Sequence, residues 1–405
     1  MPRADYPLEP QRLSPEGRNF FFGYYDRYAL SADGRYHLAL NPGFRERPNT
    51  GRDGAPLGVL DLERDCEWKV LESSPAWNWQ MGCCSQWLGP DPAKLLVCNV
   101  RDGARAYGRL LHVEDGPVRD LELPVYDAAR DGSYAVGANF HRIHICRAGY
   151  GYPDLEDPCS GRPAPDDDGL WRVDLATGRA ELIVSLADIA KVPSPPGLPV
   201  HPGFGSGDLP EGMHWVNNIM VSPGGTRILF LHRWIENGKW GSTRLLCCQA
   251  DGSGLKLVNP GPRVSHCDWL DEDRVLSWCQ WWSEQMHYYL MDLRGGGPEI
   301  LGGELFDSDG HCSFLPGSDG RWLLTDGYPG EDQHRPLILF DRESNTRYDL
   351  GRFRSPKSEQ QPGDIRCDLH PRWAPDGRRV SFDSIHEGYR GVYAVDLGEL
   401  VVRGV

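Results

Sequence analysis

Short runs in which hydrophobic and polar residues alternate are separated along the chain by clusters of Gly, Pro, Asp and Asn. This pattern predicts β-strands joined by tight turns. The clearest case is WAPDGRRVSF near Asp376, where Pro-Asp-Gly supplies the turn and Val380 and Phe382 alternate with Ser381 and Asp383. Weaker copies are LSADGRYHLAL near Asp33, WLGPDPAKLLVC near Pro90, ARDGSYAVG near Asp131, VSPGGTRILFL near Gly224, WLDEDRVLSW near Glu272 and PGSDGRWLLTD near Asp319. With one exception the intervals are roughly 40–60 residues, enough for four short strands, the content of one propeller blade. Most turns are followed by a second hairpin signal, such as GVLDLERDCEWKVL or LILFDRESNTRYDL. The expected fold is therefore all-β, a single seven-bladed β-propeller over residues 1–405, with two packed β-domains as the alternative. The one long interval holds a Pro-, Gly- and Asp-rich insertion at about 148–213, predicted as loops over one face. NFFFGYYDRY is expected to complete the last blade by pairing with the final strands.

Composition narrows the partners. A formal net charge of -15 excludes a broad basic surface for nucleic acid or anionic membrane, while leaving room for a local basic pocket. No run approaches the ~20 apolar residues of a membrane helix, and the N-terminal stretch has no apolar signal-peptide core. The chain has 12 cysteines, spread along its length and including the adjacent pairs Cys83-Cys84 and Cys247-Cys248. That spacing fits reduced, buried thiols, so a cytoplasmic location is expected. The oligomeric state has no signature.

Chemistry collects just before the turns, where a propeller brings equivalent positions of several blades to one channel. His141, His214, His266, His311 and His370 fall at nearly the same place in five successive repeats. Cys367 and His370 have C-x-x-H spacing, Asp368 lies between them, and His311 stands in the neighbouring repeat. A divalent metal at His311, Cys367 and His370 is expected, zinc favoured by the thiolate and imidazole donors and manganese possible. The alternative is a free buried Cys and a His that ties blades together. Arg233, with His141, His214, His266, Tyr150 and Tyr152, resembles machinery for an anionic substrate, since Arg grips carboxylates and His or Tyr moves protons. Trp79 offers a flat face for a sugar ring, and Gln80, Asn139, Arg142 and Asn217 are further candidate substrate-binding residues.

The segments DGHCSFLPGSDGRWLLTDGYP, RCDLHPRWAPDGRRVSFDS and HWVNNIMVSPGGTRILFLHRW resemble the oligogalacturonate lyase and ulvan lyase group. That resemblance implies a seven-bladed propeller that cleaves uronate-containing oligosaccharides by β-elimination. It matches His266 to a catalytic His and His311 and His370 to metal ligands. Cys367 stands where the oligogalacturonate branch has Gln, and Arg372 where it has another His. The ulvan branch implies proton transfer by His141 and a Tyr, with carboxylate neutralisation by Arg233. The competing readings are a non-catalytic propeller that binds a partner, and a metal-dependent hydrolase or epimerase on the same channel.

Overall fold

Six of the seven turn signals join the first two strands of a four- or five-stranded sheet, the turn near Asp33 leads into the first strand of a three-stranded sheet, Tyr36–Leu40, and the seven sheets make a seven-bladed β-propeller. The structure, a computed structural model, describes residues 3–89, 91–193, 212–236, 238–282, 284–356 and 365–402. The fourth blade shows the pattern in full. His214–Val221, Arg227–Glu236, Lys239–Gln249 and Lys256–Leu257 pair antiparallel in sequence order. Its turn is held from the next blade: Glu272 accepts from Ser222 Oγ at 2.9 Å and from the Gly224 amide. The degenerate turn WLDEDRVLSW thus carries a carboxylate that satisfies its neighbour's backbone.

The ends of the chain meet in the seventh blade, though not as the pattern of apolar residues predicts. Gln11–Arg12, not NFFFGYYDRY, supplies the outer strand, with Gln11 opposite Ala394 and Arg12 opposite Tyr393. Arg3–Asp5 adds a parallel fifth strand to the sixth blade. The aromatic segment pairs instead with the first blade, where Phe21 bridges Leu40, and beyond that point its amides are taken by a side chain. Asp383 accepts from Phe22 N at 3.2 Å and Gly23 N at 3.1 Å, and Gly23 sits at φ +128°. A Cβ at Gly23 would lie 2.6 Å from the Met81 carbonyl carbon, so the position requires glycine.

The expected loop insertion also contains regular structure. Gly169–Asp174 and Ala180–Ser185 are the outer strands of the third blade, followed by a helix, Leu186–Lys191. The part at 194–211 lies outside the described residues.

The chain divides into two compact units. One comprises Met1–Val100, Leu110–Val118 and Gly302–Val405, the other Arg101–Arg109 and Arg119–Leu301. In the first, Trp322, Leu337, Leu339, Phe353, Leu369, Trp373, Val380 and Phe382 form a core between the sixth and seventh blades. In the second, Leu229, Leu231, Leu245, Cys267, Trp269, Val275 and Tyr289 do the same between the fourth and fifth. Burial of these alternating apolar faces is the main stabilising term.

All 12 cysteines are free thiols, and all but Cys66 are buried. Thiol titration of the unfolded protein, without reductant, is expected to find every one of them reactive; two or more stable disulfides would refute this.

Candidate functional site

The first unit carries a buried cluster of His311, Asp368 and His370, whose ligand atoms all lie within 4.8 Å of one another. The two imidazoles meet edge to face, with ring centroids 4.2 Å apart. Asp326, at the end of strand Trp322–Asp326, organises them. Its carboxylate accepts from His311 N at 2.8 Å and from His370 N at 3.3 Å, and lies 2.9 Å from His311 Nδ1. That contact makes Nδ1 the protonated nitrogen and leaves a lone pair on His311 Nε2, the usual role of a carboxylate behind a metal-ligating histidine. His370 sits in the left-handed region at φ 43°, uncommon for a non-glycine residue and a form of strain concentrated at functional sites. Its Nε2 is buried with no hydrogen-bond partner among the described residues.

Cys367 is not part of this cluster, which corrects the ligand set drawn from C-x-x-H spacing. Asp368 and His370 both reach the cluster, whereas Leu369 between them turns into the apolar core. The Cys367 thiol lies 3.8 Å from the Asp368 carbonyl oxygen, and burial pushes it up to about 12, so it stays protonated. Burial also pushes the Asp368 carboxyl up, but Arg335 and Arg366 outweigh it and hold the group well below the usual carboxylate range. Arg335 pairs with Asp368 Oδ1, and Arg366 Nε donates to Oδ2 at 2.8 Å. His370 is held well below the usual imidazole range, by burial first and then by His311. The cluster therefore presents an anionic carboxylate, the neutral His370 ring and the His311 ring oriented by Asp326, a donor set that fits a divalent ion.

Aromatic rings enclose the cluster. Tyr24 lies 5.0 Å from His370 and Tyr25 5.3 Å from His311, centroid to centroid. Tyr328, 38% exposed, lies 6.4 Å from His311. Gln80 Nε2 donates to the Arg366 carbonyl at 3.1 Å. Trp79 is not a stacking platform, because it is buried against Trp77, Phe21 and Arg390, with its indole N–H on the Arg47 carbonyl. Arg372 is paired with Asp383 at 3.0 Å.

In the second unit the helix Phe140–Cys146 begins at Asn139, whose side chain accepts from Arg142 N at 3.0 Å. Asn139 also donates to Asp157 and Asp168, so it is a structural cap and not a substrate ligand. Arg142 is likewise spent inside the protein. Its guanidinium donates to the carbonyls of His214, Arg162 and Pro163 and pairs with Asp157 at 3.2 Å. Tyr152 is fully buried and stacked on Phe140 at 4.4 Å, a packing role. Tyr150 lies under the Arg147 guanidinium at 4.9 Å. His141 is half-buried, with Nδ1 3.4 Å from the Tyr152 carbonyl oxygen. Burial, then His141, lowers neighbouring His144 to about 4.

The fourth blade separates two residues that the sequence groups together. His214 pairs across the ladder with Trp234, and Trp215 with Arg233. By strand alternation His214, His232 and Trp234 share one face while Trp215 and Arg233 occupy the other. Arg233 stacks on Trp215 at 5.4 Å. Asn217 is buried and donates to Asn218 Oδ1 at 2.6 Å, so it too is structural. His266 is buried beside Ser265, whose Oγ is 3.5 Å from its Nδ1. The five repeat-phased histidines thus divide, His311 and His370 in the first unit and His141, His214 and His266 in the second.

Asp326, Arg335, Tyr328 and Arg244 were not picked out from the sequence. Each reaches its histidine or carboxylate from another strand or loop, and no linear spacing announces that.

No family model and no curated protein sequence matches the chain. Among solved structures, the chain is similar to an oligogalacturonate lyase from Vibrio parahaemolyticus, at 15% identity and TM-score 0.65, over 97% of this chain and 94% of that one. It is also similar to an oligogalacturonate lyase in complex with manganese, at 16% identity and TM-score 0.65, over 98% of each chain. At these identities the likeness is one of fold. No helix among the described residues is long and apolar enough to cross a membrane.

Proposed function

We propose that this protein is a lyase that cleaves the 4-O-glycosidic bond to a uronic acid in small oligosaccharides by β-elimination, using a divalent ion at His311, Asp368 and His370. The observation that carries this reading is the buried cluster itself: two imidazoles and a carboxylate, oriented by Asp326, in a fold similar over its whole length to oligogalacturonate lyases. Without a thiolate, the donor set no longer favours zinc over manganese.

The reaction requires a base to take the C5 proton, formation of a C4–C5 double bond as the C4–O bond breaks, and a proton for the departing oxygen. A bound divalent ion would supply positive charge where the uronate carboxylate gathers negative charge. In this proposal Asp326 fixes His311, and Arg335 and Arg366 keep Asp368 ionised. The candidates of the second unit, His141 or His266 for proton abstraction, Tyr150 for proton return and Arg233 for carboxylate neutralisation, are tested separately from the metal cluster. Each assignment is tested by single substitution, with losses of about 100-fold expected for a group that transfers the proton or meets the developing charge.

The deciding assay follows ultraviolet absorbance of an unsaturated uronate product. The substrates are galacturonate, rhamnose-glucuronate and ulvan oligosaccharides, before and after chelation. Absorbance growth that disappears with chelator and returns with manganese or zinc is expected. No unsaturated product from any of the three substrates, with either metal present, would overturn the proposal.

A further inference from the structure

A chain of hydrogen bonds in the second unit dictates where protons sit on His214. Arg244 Nε and a terminal nitrogen lie 3.2 and 3.0 Å from His232 Nδ1. A guanidinium only donates, so Nδ1 of His232 is an acceptor and the proton of this neutral ring is on Nε2. His232 Nε2 lies 2.9 Å from His214 Nδ1. The donor there is His232, so His214 Nδ1 accepts, and the neutral His214 ring carries its proton on Nε2. The arrangement is rigid. His214, His232 and Trp234 stack nearly parallel, and Arg244 is anchored on the carbonyls of Ile189 and Val192, where the helix Leu186–Lys191 ends.

A second proton on His214 would point Nδ1–H at the His232 N–H. The charged groups around the ring are Arg244 from the third strand of the blade and Arg142 from the helix Phe140–Cys146, both cations. Burial first, then these two, lower His214 to about 4, while burial lowers Arg244 only to about 10, leaving it charged at neutral pH. His232 is fully buried and His214 half-buried, and among the described residues His214 Nε2 has no hydrogen-bond partner.

We propose that His214 is a binding residue, locked by Arg244 and His232 as the neutral Nε2–H form, that donates a hydrogen bond to a carboxylate oxygen of an acidic ligand. Arg244 and His232 are positioning residues. In this proposal the ring is a fixed donor and does not take the C5 proton, unlike the proton-transfer role the sequence suggests for it. The uronate class of ligand rests on the function proposed above, with His214 meeting a different uronate from Arg233, which lies on the other face of the blade, whereas the proton positions do not.

Long-range proton–nitrogen NMR on histidine-labelled protein, with His214 assigned through the His214→Gln variant, tests both parts. The expected spectrum shows His214 protonated on Nε2 and neutral throughout pH 5 to 8. D-Glucuronate, which has no glycosidic bond to eliminate, is expected to shift the Nε2–H resonance, and D-glucose is not. His214→Ala is expected to weaken D-glucuronate binding about 10-fold, the scale of one hydrogen bond to a charged group. In Arg244→Met, where His232 is released, His214 is expected to titrate closer to the ordinary ~6.5. If Arg244→Met does not fold, the wild-type spectrum still decides. A proton on His214 Nδ1, or a midpoint near ~6.5 in the wild type, would overturn the lock. Equal shifts with glucose and glucuronate, or none with either, would overturn the carboxylate assignment. Lyase activity with the wrong tautomer would sink this inference alone, and the expected tautomer without lyase activity would sink only the proposed reaction.

Discussion

Asp368→Ala is expected to strip the divalent ion from the protein and to cost roughly 3–5 kcal/mol of stability, while Cys367→Ala leaves the ion bound. The size follows from what Asp368 does. Its carboxylate is completely buried against Arg335, itself 1% exposed, and also accepts from Arg366. Removing it leaves a buried cation without its counter-charge, and the desolvation cost then stands alone. Cys367→Ala removes one buried sulfur from a packed site, about 1 kcal/mol by area. Elemental analysis of the purified proteins and their urea denaturation midpoints would measure both. Asp368→Asn, which keeps the shape of the site, covers the case in which the alanine variant does not fold. A cobalt-loaded wild-type protein gives an independent readout, since a thiolate ligand produces a sulfur-to-metal charge-transfer band and none is expected. A metal lost in Cys367→Ala and retained in Asp368→Ala would show that the cysteine is the ligand after all.

Asp383→Ala is expected to destabilise the first unit by a similar amount, roughly 3–5 kcal/mol, without touching the metal. Asp383 is paired with buried Arg372 and accepts from the amides of Phe22 and Gly23. Arg372 in turn donates to the Gly23 carbonyl at 3.0 Å and lies over the Phe22 ring. One carboxylate thus holds an N-terminal segment, a buried arginine and the strand Arg379–Ser384 together. Asp383→Asn keeps the acceptor oxygen and loses the charge, so it should fall between alanine and wild type. A midpoint shift equivalent to less than about 1 kcal/mol for Asp383→Ala would mean that water replaces the carboxylate and the pin is dispensable.

The blade count was legible because it is a local property. A turn needs Pro, Gly or Asp at fixed places and a half-buried strand needs period two, so each hairpin is written within a short segment, even in the degraded copy around Glu272. His311 and His370 were legible for the same reason, as residues phased to that repeat. The outer strand of the seventh blade was misread because the aromatic segment finds its backbone partner elsewhere, Phe21 bridging Leu40 of the first blade. Asp383 closes the amides of Phe22 and Gly23, and no pattern of apolar residues records that.

The site differs again. C-x-x-H spacing pointed to Cys367, but the irregular chain there, with His370 in the left-handed region, brings Asp368 with His370 into the cluster. Arg142 and Asn139 have the right chemistry for a ligand, yet their donors are consumed by carbonyls and carboxylates brought up from distant parts of the chain. His214 and Arg233 are near one another along the chain's hairpin but project from opposite faces of one blade. Turn chemistry and strand period act between neighbours in sequence and can be read there. Which polar atoms are already satisfied, and which nitrogen of a histidine holds its proton, depends on groups that meet only when the blades pack.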